Sequence, residues 1–175
     1  MVEPEAIANS YWVLKGKLLA GEYPGSESET VARARLRWLL KQGITLWIDR
    51  TEETEAGISS YTPFLLEEAR QSGRPAAHLR MAVADYAVPS LDEMKRILDT
   101  LDLALRAGQA VYLHCYGGIG RTGTVVGCYL ARHGIEGTEA LEQITRLRVG
   151  IPAGRVQSPE TPEQVDMVMN WNPGS

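Results

Sequence analysis

His114-Cys115-Tyr116-Gly117-Gly118-Ile119-Gly120-Arg121-Thr122 is the most informative run in this chain. A short β-rich segment, Ala110 to His114, leads into it, and Thr122 to His133, which is apolar on nearly every side, leads out of it. A helix that is apolar all round is normally buried. The sequence therefore predicts a strand, a glycine-rich turn and a buried helix in direct succession.

Strands and helices alternate along the rest of the chain. Further β-rich runs cover Tyr11 to Leu19, Ile44 to Ile48 and Ala77 to Met81. Such alternation predicts an α/β fold with a central, mostly parallel sheet of about four or five strands flanked by helices. Because ligands of such sheets bind beyond the carboxyl ends of the strands, we expect a site at the turn after His114.

Capping residues and glycines mark the helices between these strands. Ser26 with Glu29, and Ser90 with Glu93, have the spacing of capping boxes, and glycines stop several of the predicted helices. The predicted helices run from Ser26 to Gly43, Thr62 to Gly73, Ser90 to Gly108 and Thr122 to Gly134, followed by two with the apolar stripes Leu141, Ile144, Leu147 and Val165, Val168, Met169.

The composition is that of a single ordinary domain over residues 1–175, with 44% apolar and 23% charged residues. Eighteen basic against 22 acidic residues give a net charge of −4 without a basic stripe, so neither nucleic acid nor a membrane is an expected partner. Residues 1–5 lack the features of a secretory signal, and no apolar run approaches membrane-spanning length. With only two cysteines and no disulfide framework, a reduced, cytoplasmic location is predicted.

The glycine-rich turn has the properties of an anion cradle. Gly117, Gly118 and Gly120 allow positive φ angles and a close approach of the backbone to a ligand. A loop that leads from a strand into a helix points several N–H groups at one spot, and the helix dipole adds to them. Arg121 supplies a planar fork for two anion oxygens, so the turn is predicted to bind a phosphoryl group.

Cys115 opens this cradle, where backbone amides, the helix dipole and a guanidinium all favour the thiolate form. A thiolate beneath a bound phosphate is placed for in-line attack, with transfer of the phosphoryl group to sulfur and then to water. The alternative is a buried structural cysteine beside an incidental glycine loop. A string of this composition arises by chance roughly once in a hundred thousand chains of this length, which favours the catalytic interpretation.

The run from His114 to Thr122 resembles the H-C-x5-R-[ST] signature of the cysteine-dependent protein tyrosine phosphatases. Within that superfamily it is similar to the dual-specificity group, in particular to the loop of the kinase-associated phosphatase. The resemblance implies that Cys115 is the nucleophile and needs no cofactor or metal. It also implies that Arg121 and the loop hold the phosphoryl oxygens, the loop residues being Tyr116, Gly117, Gly118, Ile119 and Gly120.

The resemblance further implies a general acid about thirty residues upstream of the nucleophile. Asp85 lies at that spacing, since 115 − 85 = 30. The alternative is that Asp85 is an ordinary turn residue ahead of Pro89. The competing carboxylates after the run from Ile44 to Ile48, Asp49, Glu52 and Glu53, are predicted to belong mainly to a solvated loop.

Two further catalytic roles follow from the resemblance. Thr122 would donate a hydrogen bond to the departing sulfur, although a first-turn threonine also commonly satisfies a local backbone group. Gln164 would orient the hydrolytic water, although Thr161, Pro162 and Gln164 make a capping box by themselves.

Other residues are assigned supporting roles or none. His114 is predicted to be a buried imidazole that hydrogen-bonds the loop backbone and keeps it rigid. Cys128 is predicted to lie in the core, with a regulatory disulfide to Cys115 as the alternative. Arg50 and Arg155 are candidates for contacting a second charge on the substrate. Packing rather than recognition is expected of the tryptophans, Trp12, Trp38, Trp47 and Trp171.

The predicted function is hydrolysis of phosphate monoesters, with a phosphorylated protein or a small phosphate ester as partner. The chain leaves little room for the recognition segment of phosphotyrosine-selective members, which favours a dual-specificity pocket. The loop carries no lysine, which favours phosphoproteins over inositol phosphates. The alternatives are an inositol-phosphate phosphatase, a phosphate-binding module without turnover and a rhodanese-type sulfur-transfer domain.

Overall fold

A five-stranded sheet forms the centre of the computed structural model, which describes residues 6–135 and 137–172. The strands are β1 (Ser10–Leu14), β2 (Leu18–Gly21), β3 (Leu46–Asp49), β4 (Ala77–Arg80) and β5 (Val111–His114). The helices are α1 (Glu29–Lys41), α2 (Thr62–Ser72), α3 (Leu91–Arg106), α4 (Gly120–Arg132), α5 (Gly137–Leu147) and α6 (Pro162–Met169), with a 3₁₀ turn at Pro152–Arg155.

The strand order is β1-β2-β5-β3-β4, and every neighbouring pair is parallel except β1 with β2. The α/β prediction is confirmed. The prediction of one strand from Tyr11 to Leu19 is wrong, because this segment folds back on itself as the β1-β2 hairpin. Gly16, with φ of 73°, makes the left-handed turn between the two strands, and the Lys17 amide donates to the Leu14 carbonyl at 2.9 Å.

Successive side chains of the buried strands point to opposite faces of the sheet, so two apolar cores form. Trp47 and Tyr112 face α1 and α2, whereas their strand neighbours, including Ile48 and Leu113, face the layer formed by α3, α4, α5 and α6. Trp12, Trp38 and Trp171 also pack against these cores, so the expected packing role of the tryptophans is confirmed.

The helix boundaries follow the capping signals with small departures. α3 has the predicted capping box at Ser90, and Gly73, with φ of 64°, ends α2. α1 is capped by Ser28 rather than Ser26, because the Ser28 side chain accepts from the Val31 amide. α4 begins at Gly120, two residues earlier than predicted, and Met169 of the last predicted apolar stripe is exposed.

The order of the strands positions the functional loop. β5 lies between β2 and β3, so the carboxyl ends of three parallel strands meet around the turn after His114. Among the described helices, none is long and apolar enough to cross a membrane.

Candidate active site

The turn between β5 and α4 packs its backbone directly against the end of β2. Gly118 adopts a φ of 70°, and a Cβ atom at this position would overlap the carbonyl carbon of Gly21. The Tyr23 amide donates to the Tyr116 carbonyl at 2.8 Å. Only glycine fits position 118, because the position requires both a left-handed backbone and the absence of a side chain.

A cavity of about 180 Å³ lies above this turn. Predicted site residues from distant parts of the chain line this cavity together: Asp85, Cys115, Tyr116, Gly117, Ile119, Gly120, Arg121 and Gln164. Tyr86 and Glu160 complete the lining. The turn, the N-terminus of α4 and a guanidinium thus face one concave space, which is an arrangement that binds tetrahedral anions.

Arg121 is buried, and several acceptors fix its guanidinium group. Nη1 donates to the carbonyls of Val83 and Arg50 at 3.0 and 3.4 Å. Glu55 accepts from Nη1 and Nη2 at 2.7 and 2.6 Å in a bidentate pair. Burial by itself lowers the pKa of Arg121, but the hydrogen bonds from Arg121 to Glu55 outweigh it and the pKa is raised.

Sequence reasoning missed Glu55. It lies in the polar loop between β3 and α2, three residues after Glu52 and two after Glu53. The pairing with Arg121 lowers the pKa of the Glu55 carboxyl. The available signal was the position of this loop, because loops that follow neighbouring parallel strands meet at one edge of the sheet.

Asp85 faces the same guanidinium from the other side of the cavity. Its Oδ1 lies 3.0 Å from Nη2 of Arg121, and its side chain is 52% exposed. The next residue, Tyr86, has a left-handed φ of 59°, which is uncommon for a residue with a side chain. Asp85 therefore has access to both solvent and the anion cradle, as a group that exchanges protons with a substrate requires.

Thr122 is buried, and its hydroxyl has no hydrogen-bond partner among the described residues. The alternative to a catalytic role, a hydrogen bond to a local backbone group, is therefore not formed. Its neighbour Thr124 does make such a bond, donating to the Gly120 carbonyl at 2.8 Å. The Thr122 hydroxyl is thus available for a group that arrives during a reaction, and donation to sulfur stays a prediction.

Gln164 combines a capping role with a position in the cavity. Its Oε1 accepts from the amides of Glu160 and Thr161, which completes the capping box of α6. Its Nε2 donates to the Ala87 carbonyl at 3.2 Å. Gln164 thereby ties α6 to the segment that carries Asp85, while its role toward water stays a prediction.

His114 is fully buried and holds the backbone of Cys115. Its Nδ1 lies 3.1 Å from the Cys115 carbonyl and its Nε2 lies 2.6 Å from the Tyr61 hydroxyl. A carbonyl only accepts, so Nδ1 donates and Nε2 accepts from Tyr61. Burial is the largest effect on His114 and lowers its pKa to about 4, so the imidazole is neutral at pH 7.

The prediction of a solvated loop is wrong for Asp49, although Glu52 and Glu53 are exposed. Asp49 ends β3 and is completely buried. Burial alone raises the pKa of this carboxyl, but hydrogen bonds from His78 and from the hydroxyl and amide of Thr51 lower it overall. Asp49 thus stabilises the sheet edge beneath the site and does not line the cavity.

The two arginine candidates do not reach this cavity. Arg50 is buried beneath the site and donates to the Met81 carbonyl. Arg155 is exposed in the 3₁₀ turn and lines a different cavity, near Ile7 and Trp38. Neither arginine lies where a group bound next to Cys115 would place a second charge.

Cys128 lies in the core, as predicted, and burial raises the pKa of its thiol. It stands eight residues into α4, about 12 Å along the axis from the start of the helix. A disulfide requires Cα atoms within roughly 7 Å, so the placement of Cys128 argues against a disulfide with Cys115.

Comparison with known families agrees with the geometry of the turn. The PTP-SAK family, described as Swiss Army Knife protein, DSP-PTPase phosphatase domain, matches residues 7–168. The chain belongs to this family. The resemblance to the dual-specificity group of the cysteine-dependent phosphatases is thereby confirmed.

Individual curated relatives share limited sequence identity with this chain, and the match covers only part of their length. The dual specificity protein phosphatase CDC14AB of Danio rerio is 29% identical over 136 residues, which cover 70% of this chain and 19% of that protein. The matched regions of the first three curated relatives span 16%, 40% and 19% of their lengths.

Solved structures share the fold. The kinase associated phosphatase, with its catalytic site cysteine replaced by serine, is similar with a TM-score of 0.69 and 22% identity, covering 91% of this chain and 90% of that one. PTPMT1 in complex with PI(5)P is similar with a TM-score of 0.65 and 21% identity, covering 93% of each chain.

Replacing Glu55 with glutamine tests the clamp on Arg121. We expect kcat/KM for an aryl phosphate to fall about tenfold, because the guanidinium loses its charged bidentate partner and with it a fixed orientation. Steady-state kinetics measure the change, and Glu53→Gln is the matched control, since Glu53 is 88% exposed and 3.9 Å from Arg80. Equal rates for both variants would show that Glu55 has no positioning role.

Proposed function

We propose that this chain hydrolyses phosphate monoesters through a phosphocysteine intermediate. The observation that carries the proposal is a single cavity lined by Cys115, Arg121 and Asp85, three side chains that supply a nucleophile, an anion clamp and a proton donor. Membership of the phosphatase family supports the same chemistry.

In the first step, the Cys115 thiolate attacks phosphorus in line with the leaving oxygen. The P–S bond forms, the P–O bond to the leaving group breaks, and Asp85 gives its proton to the departing oxygen. In the second step, water attacks phosphorus and loses a proton to Asp85, and the P–S bond breaks. Inorganic phosphate and the starting thiolate are the products.

The loop amides and Arg121 stabilise charge on the phosphoryl oxygens in both steps. Asp85 lies 3.0 Å from Arg121, so an arriving phosphoryl group competes with Asp85 for the guanidinium. Glu55, which does not line the cavity, accepts from both Nη1 and Nη2 of the same guanidinium. Binding of phosphate is therefore expected to free Asp85 for proton transfer while Arg121 stays oriented.

The charges around the cavity favour phosphorylated tyrosine, serine or threonine on a protein over multiply charged ligands. Asp85 and Glu160 line the cavity, and within the described residues Arg121 is its only basic lining residue. Repulsion by these carboxylates disfavours substrates that carry further phosphates close to the scissile one. The neutral side chains of Tyr116 and Ile119 leave room for a peptide.

A phosphoinositide phosphatase is the second candidate function. It is favoured by the structural likeness to PTPMT1, which was solved with PI(5)P. PI(5)P carries a single ring monophosphate, so carboxylates at the cavity exclude it less strongly than a polyphosphate.

Assays with several substrates test the proposal. We expect hydrolysis of p-nitrophenyl phosphate in the presence of a chelator and inhibition by vanadate. Phosphotyrosine and phosphothreonine peptides are expected to have kcat/KM values at least about tenfold above that of PI(5)P, since one mismatched charge in the transition state is worth a factor of this size. Turnover that disappears with the chelator would overturn the cysteine mechanism, and preference for PI(5)P would overturn the protein-substrate assignment.

A further inference from the structure

A second cavity, of about 200 Å³, lies between the end of β4 and α3. Arg50, Arg80 and Arg96 line it together with Glu93 and the backbone segment 81–83. It shares no lining residue with the cavity above Cys115. We call it the arginine cavity.

Arg50 is the unusual member, because it is only 1% exposed and makes no ion pair among the described residues. Its Nη1 donates to the Met81 carbonyl, and its Nε is buried without a partner. Burial is the main cause that lowers the pKa of Arg50 to about 10. Cys115 attracts this guanidinium from the catalytic side, Glu93 and Asp49 attract it less strongly, and Arg121 repels it.

The other two arginines leave the cavity positively charged. Arg80 lies 3.3 Å from Asp49, yet its Nε is also buried without a partner among the described residues. Arg96 is exposed on α3. Glu93 offsets one of these three charges, and its Oε2 accepts from both the amide and the hydroxyl of Ser90 at 2.8 Å.

A buried guanidinium with unused donors is unfavourable unless an anion compensates it. We propose that the arginine cavity binds a free tetrahedral oxyanion, inorganic phosphate or sulfate, between the guanidinium groups of Arg50 and Arg96. A cavity of about 200 Å³ corresponds to roughly seven water volumes, which accommodates such an ion with part of its hydration shell.

The backbone beside this cavity also contacts the catalytic arginine. The Val83 amide donates to the Arg50 carbonyl at 3.1 Å, and both of these residues use their carbonyls to accept from Arg121. Val83 is therefore in contact with both sites. Ala82 and Ile97 line the arginine cavity without contacting Arg121, so their amides distinguish this cavity from the catalytic loop, which is followed at residues 117–120.

Titration of ¹⁵N-labelled protein with sodium sulfate, at an ionic strength held constant with chloride, tests the proposal. We expect the amide resonances of Ala82, Val83 and Ile97 to shift along a saturable curve with a dissociation constant of about 1–10 mM. The loop amides are followed in the same spectra, so failure of the arginine cavity and failure of the catalytic cradle are distinguishable. Shifts confined to the loop, or shifts that never saturate, would overturn the proposal.

Two exposed positions on α3 provide a matched pair of variants. Arg96→Ala is expected to weaken sulfate binding at the arginine cavity about five- to tenfold, because one charged donor set is lost. Lys95→Ala removes the same charge from the neighbouring position, which does not line the cavity, and should leave the affinity unchanged. Equal weakening by both substitutions would show diffuse attraction rather than a site.

A second arm distinguishes a free ion from an esterified one. Inorganic phosphate and phosphoethanolamine are titrated into Cys115→Ser protein, in which turnover of the ester is blocked. Tighter binding of inorganic phosphate at residues 82, 83 and 97 is the expected result. Equal or tighter binding of phosphoethanolamine would overturn the assignment to a free ion.

Discussion

Cys115→Ser protein is expected to lose about 10⁴-fold or more in kcat on p-nitrophenyl phosphate while it still binds inorganic phosphate. A serine hydroxyl is a weak nucleophile unless a base removes its proton. His114 does not serve as that base, because its Nδ1 donates to the Cys115 carbonyl and its Nε2 faces Tyr61. The amides of the loop and Arg121 are unchanged, so the affinity for phosphate should fall little.

Kinetics, phosphate binding and thermal unfolding together check this expectation. Cys128→Ala is the matched control, because it removes the other thiol, which lies in the apolar core and does not line the cavity, and it should keep its catalytic rate. Retention of more than about 1% of the wild-type kcat in Cys115→Ser would contradict a covalent mechanism at this residue. Loss of both phosphate binding and thermal stability would instead show a damaged loop.

Local sequence signals were sufficient for the part of the site built by one continuous segment. The segment from β5 through α4 specifies its own local structure, because glycines, a buried apolar helix and an arginine follow each other within a few positions. Gly118 and Arg121 lie where the pattern predicts for this reason. The sequence does carry a local signal for the β1-β2 hairpin, a single glycine, Gly16, between two lysines. This signal is weak beside the β-rich run from Tyr11 to Leu19, which predicts one continuous strand.

Residues whose environment depends on strand order were not predictable in the same way. Glu55 meets Arg121 only because β3 and β5 are neighbours in the sheet. Asp49 looked like part of a solvated loop, yet His78 from the adjacent strand β4 covers it at 3.1 Å. The Arg50 side chain likewise lies buried beneath the sheet edge and does not line the cavity above Cys115. Each of these positions is polar in sequence, and only long-range packing decides whether it is exposed.

The second large effect is expected for Asp85→Asn, whose loss of catalytic rate should depend on the leaving group of the substrate. Asparagine has nearly the same shape but lacks a transferable proton, so kcat for a substrate with a poor leaving group, such as phenyl phosphate, should fall about 10²–10⁴-fold. p-Nitrophenolate departs with little need of a proton, so the loss on p-nitrophenyl phosphate should be much smaller while bond cleavage limits the rate. Asp85 is 52% exposed, so this substitution should not unfold the domain.

Comparing the two substrates separates acid catalysis from a general loss of structure. Asp92→Asn is the control, because Asp92 is an exposed carboxylate seven residues downstream, in the first turn of α3. Equal fractional losses in kcat/KM, which reports only the first step, on phenyl and p-nitrophenyl phosphate would indicate that Asp85 acts there through its ion pair with Arg121 instead of through its proton. A loss that grows with the basicity of the leaving group requires proton donation in the transition state, and Asp85 is the exposed carboxylate that faces both Arg121 and the cavity.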